Sequence, residues 1–139
     1  SHKIQFSKSL MNTRNIVVID DDPVFCFILQ KLFKSQGITD AKSFYKAKEA
    51  VNLIEKESNS NSRFLVFLDL NMPVMSGWEF LDHFQALKNV PEIAVVIVTS
   101  SVDPRDLDRS TNYPNVKEYV IRSLIMFNTN NIDNFNKTF

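Results

Sequence analysis

Three runs of apolar residues in this chain each stop at side chains able to do chemistry. Asn15-Ile-Val-Val-Ile19 runs into Asp20 and Asp21, Phe64-Leu-Val-Phe-Leu68 into Asp69, and Ile93-Ala-Val-Val-Ile-Val98 into Thr99. Short continuous apolar runs read as strands buried on both faces, and parallel strands deliver their carboxyl ends to one edge of a sheet. Three acids would then crowd together. Carboxylates within about 4 to 6 Å raise one another's pKa unless a cation offsets them. An all-oxygen site without His or Cys favours Mg²⁺, which keeps several waters and completes its octahedron with phosphate oxygens. The chemistry this suggests is phosphoryl chemistry. Each acid alone reads as a loop residue or a helix cap, Asp22 above all; the constellation is what points to a site.

The elements that must position these groups alternate. Behind the first strand, Asp22 and Pro23 form a cap and first-turn pair, and Phe25, Ile28, Leu29, Leu32 and Phe33 share one helical face before Gly37 ends it. Ile38 to Phe44 is a weaker strand pattern, followed by a helix marked by Ala47, Ala50, Val51 and Ile54 and a polar loop from Glu57 to Ser62. After Asp69, Phe80, Leu81, Phe84 and Leu87 recur at helical spacing from Gly77 onward, and Pro91 precedes the third buried run. Asp103-Pro104 opens a short helix whose apolar content is little beyond Leu107 and which stops before Tyr113-Pro114. Tyr119-Val-Ile121 is a last short strand, and from Asn128 only Ile132, Phe135 and Phe139 form a thin apolar stripe, a marginal helix. The expected fold is α/β: a doubly wound five-stranded parallel sheet of flavodoxin-like order 2-1-3-4-5, helices on both faces, with weak fourth and fifth helices.

Composition excludes other classes. With 139 residues, 44% hydrophobic and 23% charged, the chain has enough apolar material for one core, which argues against disorder and against two domains. Sixteen Lys and Arg balance sixteen Asp and Glu, so no overall basic field exists to bind nucleic acid or an anionic membrane. The single cysteine, Cys26, sits among core residues and suits a reducing compartment. No apolar run is long enough for a membrane helix and no signal peptide opens the chain, so a cytoplasmic protein is expected. Residues 1–12 read as a tag remnant or disordered extension, leaving 13–139 as a single domain.

Four segments carry a resemblance to a known family: Val18-Ile-Asp-Asp-Asp-Pro23, Phe67-Leu-Asp-Leu-Asn-Met-Pro73 with Met75-Ser-Gly77, Val98-Thr99-Ser100, and Tyr119-Val-Ile-Arg122. In this order they resemble the CheY-like receiver domain of bacterial two-component response regulators, from about Asn15 to Phe135. The resemblance implies that Asp69 accepts a phosphoryl group from a phosphohistidine on a sensor histidine kinase or histidine phosphotransfer protein. It implies that Asp20, Asp21, Asp69 and the backbone carbonyl of Asn71 hold Mg²⁺. Thr99 would donate its hydroxyl to the phosphoryl group, Tyr119 would follow Thr99 as an aromatic switch, and a downstream protein would read the altered surface. Such a domain catalyses only its own phosphorylation and dephosphorylation.

One position departs from the family. Arg122-Ser123 stands where Lys-Pro is usual; arginine keeps the charge but is longer and planar, and without proline a cis bond costs about 2.5 to 4 kcal/mol. The loop after the fifth strand therefore cannot be copied, and Leu124-Ile-Met-Phe127 there is either buried or an exposed contact patch. Two other readings stay open: a pseudo-receiver that binds partners without phosphorylation, and a haloacid-dehalogenase-like phosphatase using Asp20 and Asp22.

Overall fold

The structure is a computed structural model that describes Met11 and residues 14–59, 61–86 and 92–129. Strands β1 (Asn15–Ile19), β2 (Lys42–Phe44), β3 (Arg63–Leu68), β4 (Glu92–Thr99) and β5 (Val116–Ile121) alternate with helices α1 (Pro23–Ser35), α2 (Ala47–Glu57), α3 (Gly77–Ala86), α4 (Pro104–Ser110) and α5 (Arg122–Thr129). The strands form one parallel sheet in the order β2-β1-β3-β4-β5, as expected.

Alternation along the strands sorts the core into two layers. Val17, Ile19, Val66, Leu68, Val95 and Ile97 face α2 and α3, packing with Ala50, Ile54, Phe80 and Phe84. Ile16, Val18, Leu65, Phe67, Ala94 and Val96 face the opposite way, onto Phe25, Leu29 and Phe33 of α1 and Ile125 of α5. Local signals explain the best-formed helix. The Asp22 carboxylate accepts the N–H groups of Val24 and Phe25, Pro23 stands in the first turn, and Gly37 closes the helix at φ 82°. There the N–H of Gly37 bonds the Lys34 carbonyl and that of Ile38 bonds Phe33, the paired bonds of a Schellman ending.

Three details depart from expectation. Met11, placed outside the domain by the boundary after residue 12, is buried in the layer beneath α1; one core residue lies upstream of an unpatterned stretch and carries no periodic signal. The second strand is only the three residues Lys42–Phe44 at the sheet edge. The fifth helix begins at Arg122, directly after β5, instead of near Asn128. Among its described side chains Ile125 is buried while Leu124 and Met126 are exposed, so these three divide between core and surface. The weak fourth helix is confirmed: α4 has seven residues and buries only Ser110. Leu87, Pro91, Ile132, Phe135 and Phe139 lie outside the described residues.

Gly77 is required by a close approach, because a Cβ there would lie 2.4 Å from the Asp69 carbonyl oxygen and 2.8 Å from the Leu70 Cα. Both neighbours are backbone and cannot turn aside. Gly77→Ala should therefore destabilise the fold by about 1–3 kcal/mol, the usual range for overpacking. Urea unfolding checks this, and a midpoint matching the parent's would refute it.

Candidate functional site

Register explains why the acids meet. Ile19 of β1 pairs with Leu68 of β3, and Leu68 with Ile97 of β4, so the next residues, Asp20 and Asp69, leave the sheet side by side. Both follow the alternation of the α1 layer, in step with Val18 and Phe67. The N–H of Asp20 donates to the Phe44 carbonyl and that of Asp69 to the Ile19 carbonyl, both near 3 Å, which carries the ladder one residue beyond the strands. Ligand oxygens of Asp20, Asp21 and Asp69 lie within 4.8 Å of one another; Asp20 and Asp69 are buried and Asp21 is exposed.

The carboxylates are held from both sides. Asp20 Oδ1 accepts the Asp22 N–H at 2.9 Å, and Asp69 Oδ1 accepts the Asn71 N–H at 3.3 Å. Their other oxygens share Arg122: its Nη2 donates to Asp20 Oδ2 and lies 3.3 Å from Asp69 Oδ2, while Nη1 is 3.7 Å from Asp22. Arg122 follows Val120 in the alternation of β5, which brings its side chain to the same layer as the acids. The guanidinium carbon lies 4.5 Å from the centre of the Phe25 ring, a cation–π contact that fixes the group against α1. Phe25 shows in the sequence only as a core residue; nothing in its spacing announces this role. Cys26, buried as expected, donates its thiol to the Asp20 carbonyl at 3.3 Å, and burial pushes its pKa up to about 12.

Beyond Asp69 the chain turns sharply. Met75 N–H bonds the Pro73 carbonyl at 2.8 Å around Val74, whose φ of 68° is strained for a β-branched residue. Val74 is fully exposed, so the strain comes from the backbone path alone.

Thr99 and Tyr119 belong to the other layer. Thr99 is fully buried at the end of β4, paired with Ile121, while Tyr119 pairs with Ile97 and packs against the α2–α3 side. They meet through Ser101, which donates its N–H to Thr99 Oγ1 at 3.2 Å and accepts the Tyr119 hydroxyl on its carbonyl at 3.3 Å.

Residues 16–120 match the response regulator receiver domain. The chain belongs to that family. Among relatives, a two-component response regulator from Oryza sativa subsp. japonica is 27% identical over 116 residues, covering 78% of this chain and 49% of the rice protein. This receiver thus spans about half the length of the first curated relatives it matches. Solved structures share its fold. A receiver domain from Rhodospirillum rubrum superposes with a TM-score of 0.67 at 24% identity, over 83% of this chain and 93% of that one. The response regulator TrrA of Thermotoga maritima, solved in complex with Mg²⁺-BeF, gives 0.61 at 24% identity, over 78% and 85%.

The donor set fits the Mg²⁺ of this family: three carboxylates, all oxygen, with one exposed member that leaves room for water. The acids are placed for Mg²⁺ and phosphoaspartate chemistry. No helix among the described residues is long and apolar enough to cross a membrane.

Burial raises the Asp20 pKa to about 6, with the neighbouring Asp69 adding to it and the Asp22 N–H and Arg122 opposing. Burial likewise raises that of Asp69, against the Asn71 N–H and Arg122. Because the folded pKa of Asp20 exceeds the unfolded value near 4, the native state binds more protons between them, and stability falls as pH rises through this window. In the presence of a chelator the protein should therefore melt at a higher temperature at pH 5 than at pH 7.5, and Asp20→Asn should flatten that difference. A parent whose melting temperature rises over this range would contradict the assignment.

Proposed function

We propose that this receiver works in the cytoplasm as a phosphorylation switch, with Asp69 as its phosphoacceptor, and that residues 13–139 form one domain with Met11 seated in its core. The observation that carries this reading is the position of Asp69: buried at the end of β3, within ligand distance of Asp20 and Asp21, and touched by Arg122. The donor is a phosphohistidine on a sensor histidine kinase or a histidine phosphotransfer protein. One Asp69 oxygen attacks the phosphorus, the P–N bond breaks, and the imidazole leaves with the electron pair and takes up a proton. Asp20, Asp21, Asp69 and the Asn71 carbonyl are the proposed Mg²⁺ ligands. Bound there, Mg²⁺ offsets the negative charge on the attacking and transferring oxygens.

Arg122 has the donors for the product. Its buried Nε has no hydrogen-bond partner among the described residues, an unmet donor beside the acceptor carboxylate. A planar guanidinium can take a phosphoryl oxygen with one nitrogen while keeping a carboxylate with another. Thr99 supplies a hydroxyl from the opposite layer and Tyr119 answers its movement. A downstream protein reads the result, and no contact with nucleic acid or membrane is required. The pseudo-receiver reading has no support in the site, since every acid the chemistry needs is present and assembled. The phosphatase reading gives way to the family match, and Asp22 serves as the α1 cap.

Acetyl phosphate with Mg²⁺ should add one labile phosphoryl group to the parent, seen by intact mass, and none to Asp69→Asn. Equal labelling of that variant would remove Asp69 as acceptor. Arg122 and a divalent cation draw on the same two carboxylates, Asp20 and Asp69. Arg122→Ala should consequently tighten Mg²⁺ binding by about tenfold, roughly 1.4 kcal/mol, by calorimetric titration. Weaker or unchanged affinity would show that the guanidinium does not compete.

A further inference from the structure

Between the start of α2 and the loop behind Asp69 lies a groove of about 200 Å³ whose lining is nearly all apolar. Ala47, buried, and Met75, half-buried against the α2–α3 layer, form its inner surface. Pro73 and Val74 form one rim and Lys46 and Lys48 the other, and all four are exposed. The two walls follow β2 and β3, so the groove lies at the same end of the sheet as the acids.

Nothing inside the fold accounts for Val74. Its φ of 68° is strained for a β-branched residue, and its side chain, fully exposed, gains no packing in return. Glycine would take this backbone freely. A valine held there finds contacts only with something seated against the rim.

Size and charge define that occupant. Pockets for cofactors and drug-sized ligands run roughly 300–1,000 Å³, so a groove of this size takes one apolar side chain. The charges on its edge have one sign. No ion pair among the described residues uses Lys46 or Lys48, and Glu49, the acid in the first turn of α2, does not line the groove. Lys46 stands at the N-cap without a side-chain cap bond, so the first N–H groups of α2 add partial positive charge to the same edge. An anionic membrane is recognised by clusters of about four to eight basic residues, more than this edge offers. Two lysines beside a recess suit a peptide.

We propose that this groove docks an acidic peptide segment of a partner protein. One Leu- or Met-sized side chain sits between Ala47, Val74 and Met75, and carboxylates on either side of it reach Lys46 and Lys48. Met75, unbranched and polarizable, adapts to the anchor. Exposed ion pairs contribute little, so the anchor supplies most of the affinity and the lysines the choice of partner. The site goes beyond the phosphoacceptor reading and does not depend on it, since none of its residues is a proposed ligand of Mg²⁺ or of the phosphoryl group.

The probe is the end-capped pentapeptide Asp-Glu-Leu-Glu-Asp, titrated into isotope-labelled protein and followed by NMR without Mg²⁺ or a phosphodonor. Amide signals of Lys46 to Glu49, Val74 and Met75 should shift and saturate with a Kd below about 1 mM. Replacing the peptide's leucine by serine, or its acids by lysines, should weaken binding by about tenfold or more, and so should Lys46→Glu/Lys48→Glu in the protein. Val74→Gly should weaken it about fivefold while leaving the urea midpoint no lower than the parent's, because glycine relieves the positive φ. Phe27→Ala, which removes another exposed apolar side chain, should bind as the parent does. Absence of saturable shifts at these amides, or equal affinity for the serine peptide, overturns the docking site. Shifts of the same amides on concentrating the protein alone would make a second copy the occupant, and binding to phosphatidylserine vesicles that Lys46→Glu/Lys48→Glu abolishes would make it a membrane; either overturns the peptide. Failure of Asp69 to label with acetyl phosphate would overturn the acceptor reading and leave this site standing.

Discussion

Two buried carboxylates, Asp20 and Asp69, stand side by side at the end of the sheet with one guanidinium between them. Everything else at the site is arranged around that contact. An isolated buried carboxylate is costly, and two of them repel, so the arrangement is tolerable only with a fixed cation and with the remaining lone pairs met by N–H groups. Arg122 supplies the cation, and the Asp22 and Asn71 N–H groups supply the rest. The compensation is incomplete: the raised pKa of both acids is a cost borne by the fold in order to keep acidic oxygens out of water, where a second cation and a phosphoryl group can use them.

The pleat divides the labour. Asp20, Asp69 and Arg122 continue the α1 layer, while Thr99 and Tyr119 continue the layer beneath α2 and α3. Charge is therefore gathered on one side of the sheet edge and the Thr99 hydroxyl and Tyr119 ring on the other. The Arg122-Ser123 pair fits this division, because the long arginine side chain spans from the end of β5 across to Asp20, just beyond β1, and rests on Phe25 of α1. Helix α5 starting at Arg122 follows from the same step: without proline, nothing interrupts the chain between the strand and the helical turn.

Much of this was legible in the sequence because its causes are local. Apolar runs ending in acids define β1 and β3, Asp22-Pro23 and Gly37 bracket α1, and the shared carboxyl edge of parallel strands brings Asp20, Asp21 and Asp69 together. The reading failed where the cause is tertiary. Every residue of β5 but one is half-buried, so its Val116 and Lys117 gave no run to recognise and only Tyr119 to Ile121 stood out. α5 has one buried residue among the described positions, Ile125, too few to set a helical period against the asparagine-rich tail. Met11 packs from outside any pattern. Ser101 was invisible altogether, since its partners, the hydroxyl groups of Thr99 and Tyr119, the Asp106 carboxylate and the Asp103 N–H, share no spacing that a sequence displays.

Counting charge connects the two layers. Three carboxylates and Arg122 leave a formal charge of about −2 at the site, which one divalent cation neutralises. Phosphorylation of Asp69 replaces its single charge by about −2, so the loaded site becomes negative again by about one unit even with cation and guanidinium in place. Among the described residues no further charged donor lies in contact with the acid cluster, because the other Lys and Arg engage other partners or face solvent. Among the described residues the excess falls to neutral donors, and neutral donors act only at hydrogen-bond distance. In the proposed reading that donor is the Thr99 hydroxyl, which the pleat has placed on the other side of the edge; it can serve the phosphoryl oxygen only by moving. In that reading the requirement for movement follows from where alternation puts the charges and the hydroxyl.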